Sequence, residues 1–223
     1  MSFEGSAAAR KRILARIRRA QGRGASRPSE AELEAVETYL RAHPRGPAPR
    51  QGEEPVARFR ARAEAMQTTT DLVERWAEVP PAVARYLDAN GLPAAGCVWP
   101  QLAQLDWAGA GLALEGREAH GEDPVGVTGA FAGIAETGTV MLVSGPETPA
   151  SVSLLPETHV AVVVAERIVA HMEDAWDLAR RELGALPRAV NFISGPSRTG
   201  DIEQVIILGA HGPYRVHLIV VRT

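Results

Sequence analysis

Three stretches of this 223-residue chain combine small residues with groups able to move protons or hold anions. The first, residues 128–139, places Glu136 among Gly133, Thr137, Gly138 and Thr139, directly before an apolar run at 140–143. Its glycines let backbone or ligand approach closely. A carboxylate beside a buried strand suits acid–base or nucleophilic work. The plainer reading is a turn that Glu136 braces by accepting hydrogen bonds. The second stretch, residues 194–203, follows an apolar run and carries Ser194, Ser197, Arg198 and Thr199, then Asp201 and Glu203. Hydroxyls, backbone N–H groups and one guanidinium could cradle a carboxylate or a phosphate. Alternatively, Arg198 pairs with Asp201 or Glu203 across a tight turn. Those two carboxylates point the same way on a strand and could orient Arg198; a metal between them is the weaker reading. The third stretch, residues 208–213, sets His211 between small residues as a candidate acid, base or ligand, alongside a loop at 151–159.

Other chemistries are excluded by what the chain lacks. Cys97 is its only cysteine, so no internal disulfide forms and neither an iron–sulfur cluster nor a structural zinc has its usual ligands. Lys11 is its only lysine, which removes Schiff-base and P-loop lysine chemistry. The six histidines show no HExxH spacing, and no GxSxG elbow or dinucleotide fingerprint occurs. No apolar run reaches the roughly 18 residues that span a bilayer. The polar start reads as lacking a secretory signal, and a cytoplasmic, reducing location is expected.

Two kinds of element must position these groups. Residues 1–28 hold eight basic side chains against Glu4 alone, leaving 16 basic and 26 acidic groups of the chain's 24 and 27 in the remainder. Ile13, Leu14 and Ile17 give that basic stretch a thin apolar helical face, read as packing on this protein or its twin. A helix is expected over 30–42, stopped by the proline-rich linker 43–49, and another over 56–66. Thr70 and Asp71 are read as capping a helical 72–76, and Pro80-Pro81 as opening a helix that stops at Asn90-Gly91. From about residue 93 short apolar runs alternate with glycine-rich turns, at 96–99, 112–114, 139–143, 160–165, 189–193, 205–208 and 216–221. Several are continuous, as strands buried on both faces are. With a helical 168–183, this predicts an α/β domain with a mostly parallel sheet, its last strand pair antiparallel. The expected division is a helical extension with its linker over 1–54 and an α/β domain over 55–223.

Taken together, residues 133–139, 153–156, 194–203 and 208–213 resemble, in order, the motifs of the lactate utilization protein C family, whose unit is the LUD domain. The resemblance covers roughly residues 55–223; Gly200 departs from it, where alanine is the commoner residue. It implies a three-layer α/β/α sandwich similar to ribose-phosphate isomerases, glucosamine-phosphate deaminases and coenzyme A transferases. It also implies a subunit of a bacterial system that oxidises L-lactate to pyruvate with iron–sulfur partner proteins, this chain carrying no cofactor of its own. By analogy with those fold-mates, Glu136 is the carboxylate for proton transfer or acyl attack, facing a small anion held by Ser197, Arg198 and Thr199. Two rivals remain at this point: a stand-alone enzyme on a phosphorylated or coenzyme A-linked metabolite, and a non-catalytic assembly or regulatory subunit. A homo-oligomer is compatible with each.

Overall fold

The computed structural model describes residues 3–23, 27–49, 52, 54–199, 207–209 and 211–222. Asp201, Glu203 and Gly200 therefore lie outside the described residues. The chain divides into two compact units, Met1–Pro47 and Ala48–Thr223. In the first are helices α1 (Phe3–Ala20) and α2 (Glu30–Ala42). Ser29 and Glu32 start α2 with reciprocal bonds, Glu32 N donating to Ser29 Oγ and Ser29 N to Glu32 Oε2. Ile13 and Ile17, the expected packing face of α1, are exposed.

The second unit opens with α3 (Pro55–Ala65), set by Pro55 in its first turn and by Glu54 accepting from Val56 N and Ala57 N. Then come β1 (Thr69–Val73), α4 (Val79–Ala89), β2 (Ala95–Val98), β3 (Ala113–Gly116) and β4 (Val125–Gly129). A smaller set follows: β5 (Ala132–Ile134), β6 (Thr139–Val143), β7 (Thr158–Val164), β8 (Ile168–Val169) and α5 (Met172–Leu183). The chain closes with β9 (Val190–Ile193), β10 (Arg198–Thr199), β11 (Ile207–Leu208) and β12 (Arg215–Val221).

Six strands form one all-parallel sheet in the order β1-β12-β7-β4-β2-β3. Its central strands read as continuous valine-rich runs because both faces are covered. Val160, Val162, Ile219 and Val221 point toward Val79, Val83 and Leu87 of α4. Ala161, Val163, Leu218 and Val220 point the other way, toward Phe59 and Ala63 of α3 and toward Val140 and Leu142. The latter two belong to a second, four-stranded sheet, β8-β5-β6-β9, whose outer face packs on Ala175 and Ala179 of α5. The α/β architecture and mostly parallel sheet are as expected, with a small mixed sheet sharing the layer that α3 occupies.

Three expectations fail. Thr70 and Asp71 cap no helix but sit in edge strand β1, where Thr, Thr, Leu and Val favour extended backbone and β12 supplies the hydrogen-bond partners. The last strand is not half of an antiparallel pair, since β12 lies between β1 and β7, parallel to both. Ile207–Leu208 pairs instead with Arg198–Thr199 in a separate two-stranded ribbon. Residues 168–183 are not one helix either: β8 precedes α5, and His171 and Asp174 form the cap that starts it.

Candidate functional site

The C-terminal end of α3 gathers the glycine-rich segments. Gly138 ends the β5–β6 turn at φ 67°, and a Cβ built there would lie 2.2 Å from Ala63 N. Gly195 has φ 78°, and its Cβ would lie 2.3 Å from the Met66 carbonyl oxygen. Both positions need the left-handed backbone and the missing side chain, so glycine is required twice over. Three residues on from Gly195, Arg198 Nη2 donates to the same Met66 carbonyl at 2.7 Å. The segments at 133–139 and 194–199 are thus fixed to one helix end.

The remaining motifs close onto the second of these. Ser197 N donates to Pro213 O and Gly209 N to Ser197 O, both at 2.9 Å. A Cβ on Gly212 would stand 3.3 Å from Ser197 Cβ, so these loops are in direct contact. Beside them opens a cavity of about 570 Å³, walled by Leu154 and Leu155 from one motif and by Gly209, His211 and Gly212 from another. It lies at the amino ends of β7 and β12, since Glu157 and Arg215 also line it. The loops at 194–199 and 208–213 therefore do not extend the carboxyl ends of the parallel sheet: β9 belongs to the small sheet, and His211 precedes β12.

Arg215 is the cation of this cavity, and the sequence reading passed over it. Its guanidinium stacks over the Tyr214 ring at 4.9 Å. Among the described residues its ion-pair partner is Glu157, 3.9 Å away and 79% exposed, a surface pair of little energetic worth. The clue available was an arginine opening a buried, apolar run. Arg198, by contrast, directs one nitrogen into the Met66 carbonyl, and Ser194 and Arg198 are exposed while Ser197 and Thr199 are half-buried.

Glu136 occupies a different corner. Its backbone N donates to Ala170 O, and its Oε2 lies 3.1 Å from His171 Nδ1. His171 is the N-cap of α5, so the carboxylate also stands near the positive end of that helix dipole. Both side chains are partly buried, at 27% and 17% exposure. Thr137 and Thr139 join hydroxyls at 2.7 Å on the same turn, and Gly133 lies against Ile168 and Phe59. Glu136 does not line the 570 Å³ cavity. His171, the hydrogen-bond partner of Glu136, is not among the residues the sequence singles out; its signal is the capping pattern His171-x-x-Asp174 at a helix start.

Elsewhere the titratable groups are structural. Burial pushes the Cys97 thiol up to about 12, so it is no nucleophile at neutral pH. The Arg117 guanidinium, bonded to both carboxylate oxygens, holds Asp123 down at about 2. His159, bonded through Nε2 to Thr128, is pushed by burial to about 3. Burial likewise pushes His217 to about 4, partly opposed by Asp71; its Nδ1 meets Thr69 Oγ1 at 2.8 Å and its ring stacks on Tyr86. Among the described residues no group of three or more His, Cys, Asp or Glu is placed to hold a metal. No helix among them is long and apolar enough to cross a membrane.

The LUD domain family profile matches residues 100–221, more than half of the chain. "Lactate utilization protein C" of Bacillus subtilis (strain 168) is 40% identical over 100 residues, 44% of this chain and 42% of that protein. The protein of the same name from Exiguobacterium sp. is 37% identical over 120 residues, 52% of each chain. That of Shouchella clausii is 42% identical over 99 residues, 44% of this chain and 43% of the relative. The matched part thus spans about half the length of these curated relatives. In fold, the chain is similar to a crystal structure of a DUF162 family protein from Deinococcus radiodurans, with TM-score 0.60 and 24% identity over 78% of this chain and 99% of that one. On the profile match, which takes in the cavity and all four motif stretches, Glu136 and His171 among them, this chain belongs to the LUD domain family.

Proposed function

We propose that this chain serves L-lactate utilization as the subunit that binds a small anion, carboxylate or phosphate, in the cavity between the 153–156 and 208–213 loops. One observation carries the reading: Leu154 and Leu155 of one motif loop and Gly209, His211 and Gly212 of another wall a cavity that Arg215 also lines, its ion-pair partner among the described residues being the exposed Glu157 at 3.9 Å. Arg215 makes the charged contact and His211 a hydrogen bond, with Ser197 against Gly212 and Arg198 on the adjoining ribbon. Glu136 and His171 form the acid–base pair, outside this cavity. In this reading electron transfer falls to the iron–sulfur partner proteins that the family resemblance implies, one cysteine being too few for a cluster.

Isothermal titration of the purified chain with L-lactate, pyruvate and inorganic phosphate tests the anion site. A charge-assisted contact contributes about 1.5–3 kcal/mol, so Arg215→Ala should weaken the bound anion by tenfold or more. Undiminished binding by Arg215→Ala, or no binding of any of the three by the wild type, would remove the site assignment. Preference for phosphate over both carboxylates would favour the reading as an enzyme of phosphorylated metabolites.

A further inference from the structure

The carboxyl end of the parallel sheet holds a second crevice, of about 370 Å³, that the anion site leaves unused. It opens where Gly129 ends β4, Val164 ends β7 and Trp99 follows β2. β7 is seven residues long, so the two cavities are separated by a strand of roughly 20 Å. Carboxyl ends of parallel strands are where loops diverge and ligands settle in open α/β sheets.

Its lining specifies a ligand unlike a small anion. Trp76, Trp99 and Phe131 supply three aromatic walls. Trp99 is fixed, being buried and donating from Nε1 to Pro149 O at 3.0 Å. Arg167 lies with its guanidinium 4.7 Å above the Phe131 ring and its Nε bonded to the Phe131 carbonyl. Its two terminal nitrogens meet both oxygens of Glu182, at 3.3 and 2.8 Å. This bidentate pair neutralises the only cation among the lining residues, so an anion gains little here. Three of the five guanidinium N–H groups are used in these contacts, which leaves two for an acceptor on a ligand. The exposed side chain of Gln101 adds an amide that both donates and accepts. The volume is near the lower end of the roughly 300–1,000 Å³ of small-molecule sites, enough for one ring system and too small for a dinucleotide.

We infer that this crevice is a second binding site, for an uncharged planar nitrogen heteroaromatic ring of nucleobase size. The indoles and Phe131 take its faces, and Arg167 and Gln101 take the acceptors and donors on its edge. Flat rings of this class gain from aromatic contact beyond their buried area, and the fixed Arg–Glu pair distinguishes a heterocycle with carbonyl or ring-nitrogen acceptors from a plain hydrocarbon.

The full chain is titrated separately with adenosine, riboflavin and nicotinamide, by calorimetry and by quenching of tryptophan fluorescence. Saturable binding of at least one, with a dissociation constant below about 1 mM, is expected; which of them binds best identifies the ring. A Cβ at Gly129 would lie 3.6 Å from the Trp99 ring, an ordinary contact with no backbone clash, so Gly129→Val is placed to narrow the crevice. Gly129→Val and Arg167→Ala should each weaken binding at least tenfold, and Gln101→Ala, a change at an exposed side chain outside the core, should weaken it severalfold. Failure of all three compounds to bind with a dissociation constant below about 1 mM overturns the inference. Binding that survives in Gln101→Ala and in whichever of the other two variants folds, judged by circular dichroism, overturns it equally.

Discussion

Gly138→Ala is expected to destabilise the protein by about 2–5 kcal/mol, from a left-handed backbone costing about 1–2 and forced overpacking costing about 1–3. The added methyl would meet backbone rather than a yielding side chain: Ala63 N at 2.2 Å and the Arg62 carbonyl carbon at 2.6 Å. Gly195→Ala should behave alike, because its methyl would stand 2.3 Å from the Met66 carbonyl oxygen. Gly91 separates the two contributions. It too has a positive φ, 61°, but nothing lies within 4 Å of its would-be Cβ, so Gly91→Ala should cost only the backbone share, about 1 kcal/mol. Urea unfolding of the three variants measures this directly. Equal losses at all three glycines would show that the 133–139 and 194–199 segments do not seat on α3 as described.

Acid should destabilise the protein through two histidines well before its paired carboxylates matter. His159 and His217 have folded-state values near 3 and 4 against about 6.5 unfolded. Below pH 6.5 the unfolded chain therefore binds up to two more protons than the folded one. Stability is unaffected by these groups above that pH, and falls as pH drops toward 4. The slope is about 1.4 kcal/mol per pH unit for each histidine, or up to about 5 kcal/mol between pH 6 and pH 4. Asp123, paired with Arg117, contributes its loss later, between its ordinary value and about 2. Unfolding free energies measured across pH 4–8 should show the loss, and His217→Gln should remove about half of the slope whatever it does to the absolute stability. A flat profile over this range would mean that neither imidazole is buried in its neutral form.

The strands that could be read from sequence are those whose environment is uniform. β7 and β12 are continuous apolar runs because helix covers one face of the sheet and α3 with the small sheet covers the other. What failed was pairing. Residues 205–208 and 216–221 look like two arms of a hairpin, but parallel partners for β12 lie at residues 69–73 and 158–164, and nothing local encodes a partner so far away. β1 was misread for a related reason. Thr70-Asp71 is a fair capping signal taken alone, and the edge of a neighbouring strand outweighed it. β4 and β5 escaped notice because glycines at 126, 129 and 133 interrupt their apolar pattern, those at 126 and 133 admitting close packing from another element.

At the candidate site, the segments were legible and their geometry was not. The four motif stretches were identifiable, and they do converge around the end of α3 and the 570 Å³ cavity. Glu136 was expected to face the anion held by Arg198. Instead it pairs with His171 at the start of α5, while Arg215 furnishes the cavity's charge. An arginine on the first turn of a buried strand looks like a strand boundary in sequence, and only the fold shows that it borders a cavity. Asp201 and Glu203, the other expected partners of Arg198, fall outside the described residues.

Growth on L-lactate as sole carbon source tests the central claim most directly. A strain lacking this gene is complemented with wild type, Arg215→Ala, Glu136→Gln or empty vector, with protein level checked in each. Growth is expected with wild type, none with empty vector, and severely slowed growth with Arg215→Ala and with Glu136→Gln at equal protein level. Full growth with both variants would contradict the binding and acid–base roles and leave an assembly subunit. Full growth with empty vector, in a strain with no second lactate route, would contradict the role in lactate utilization itself.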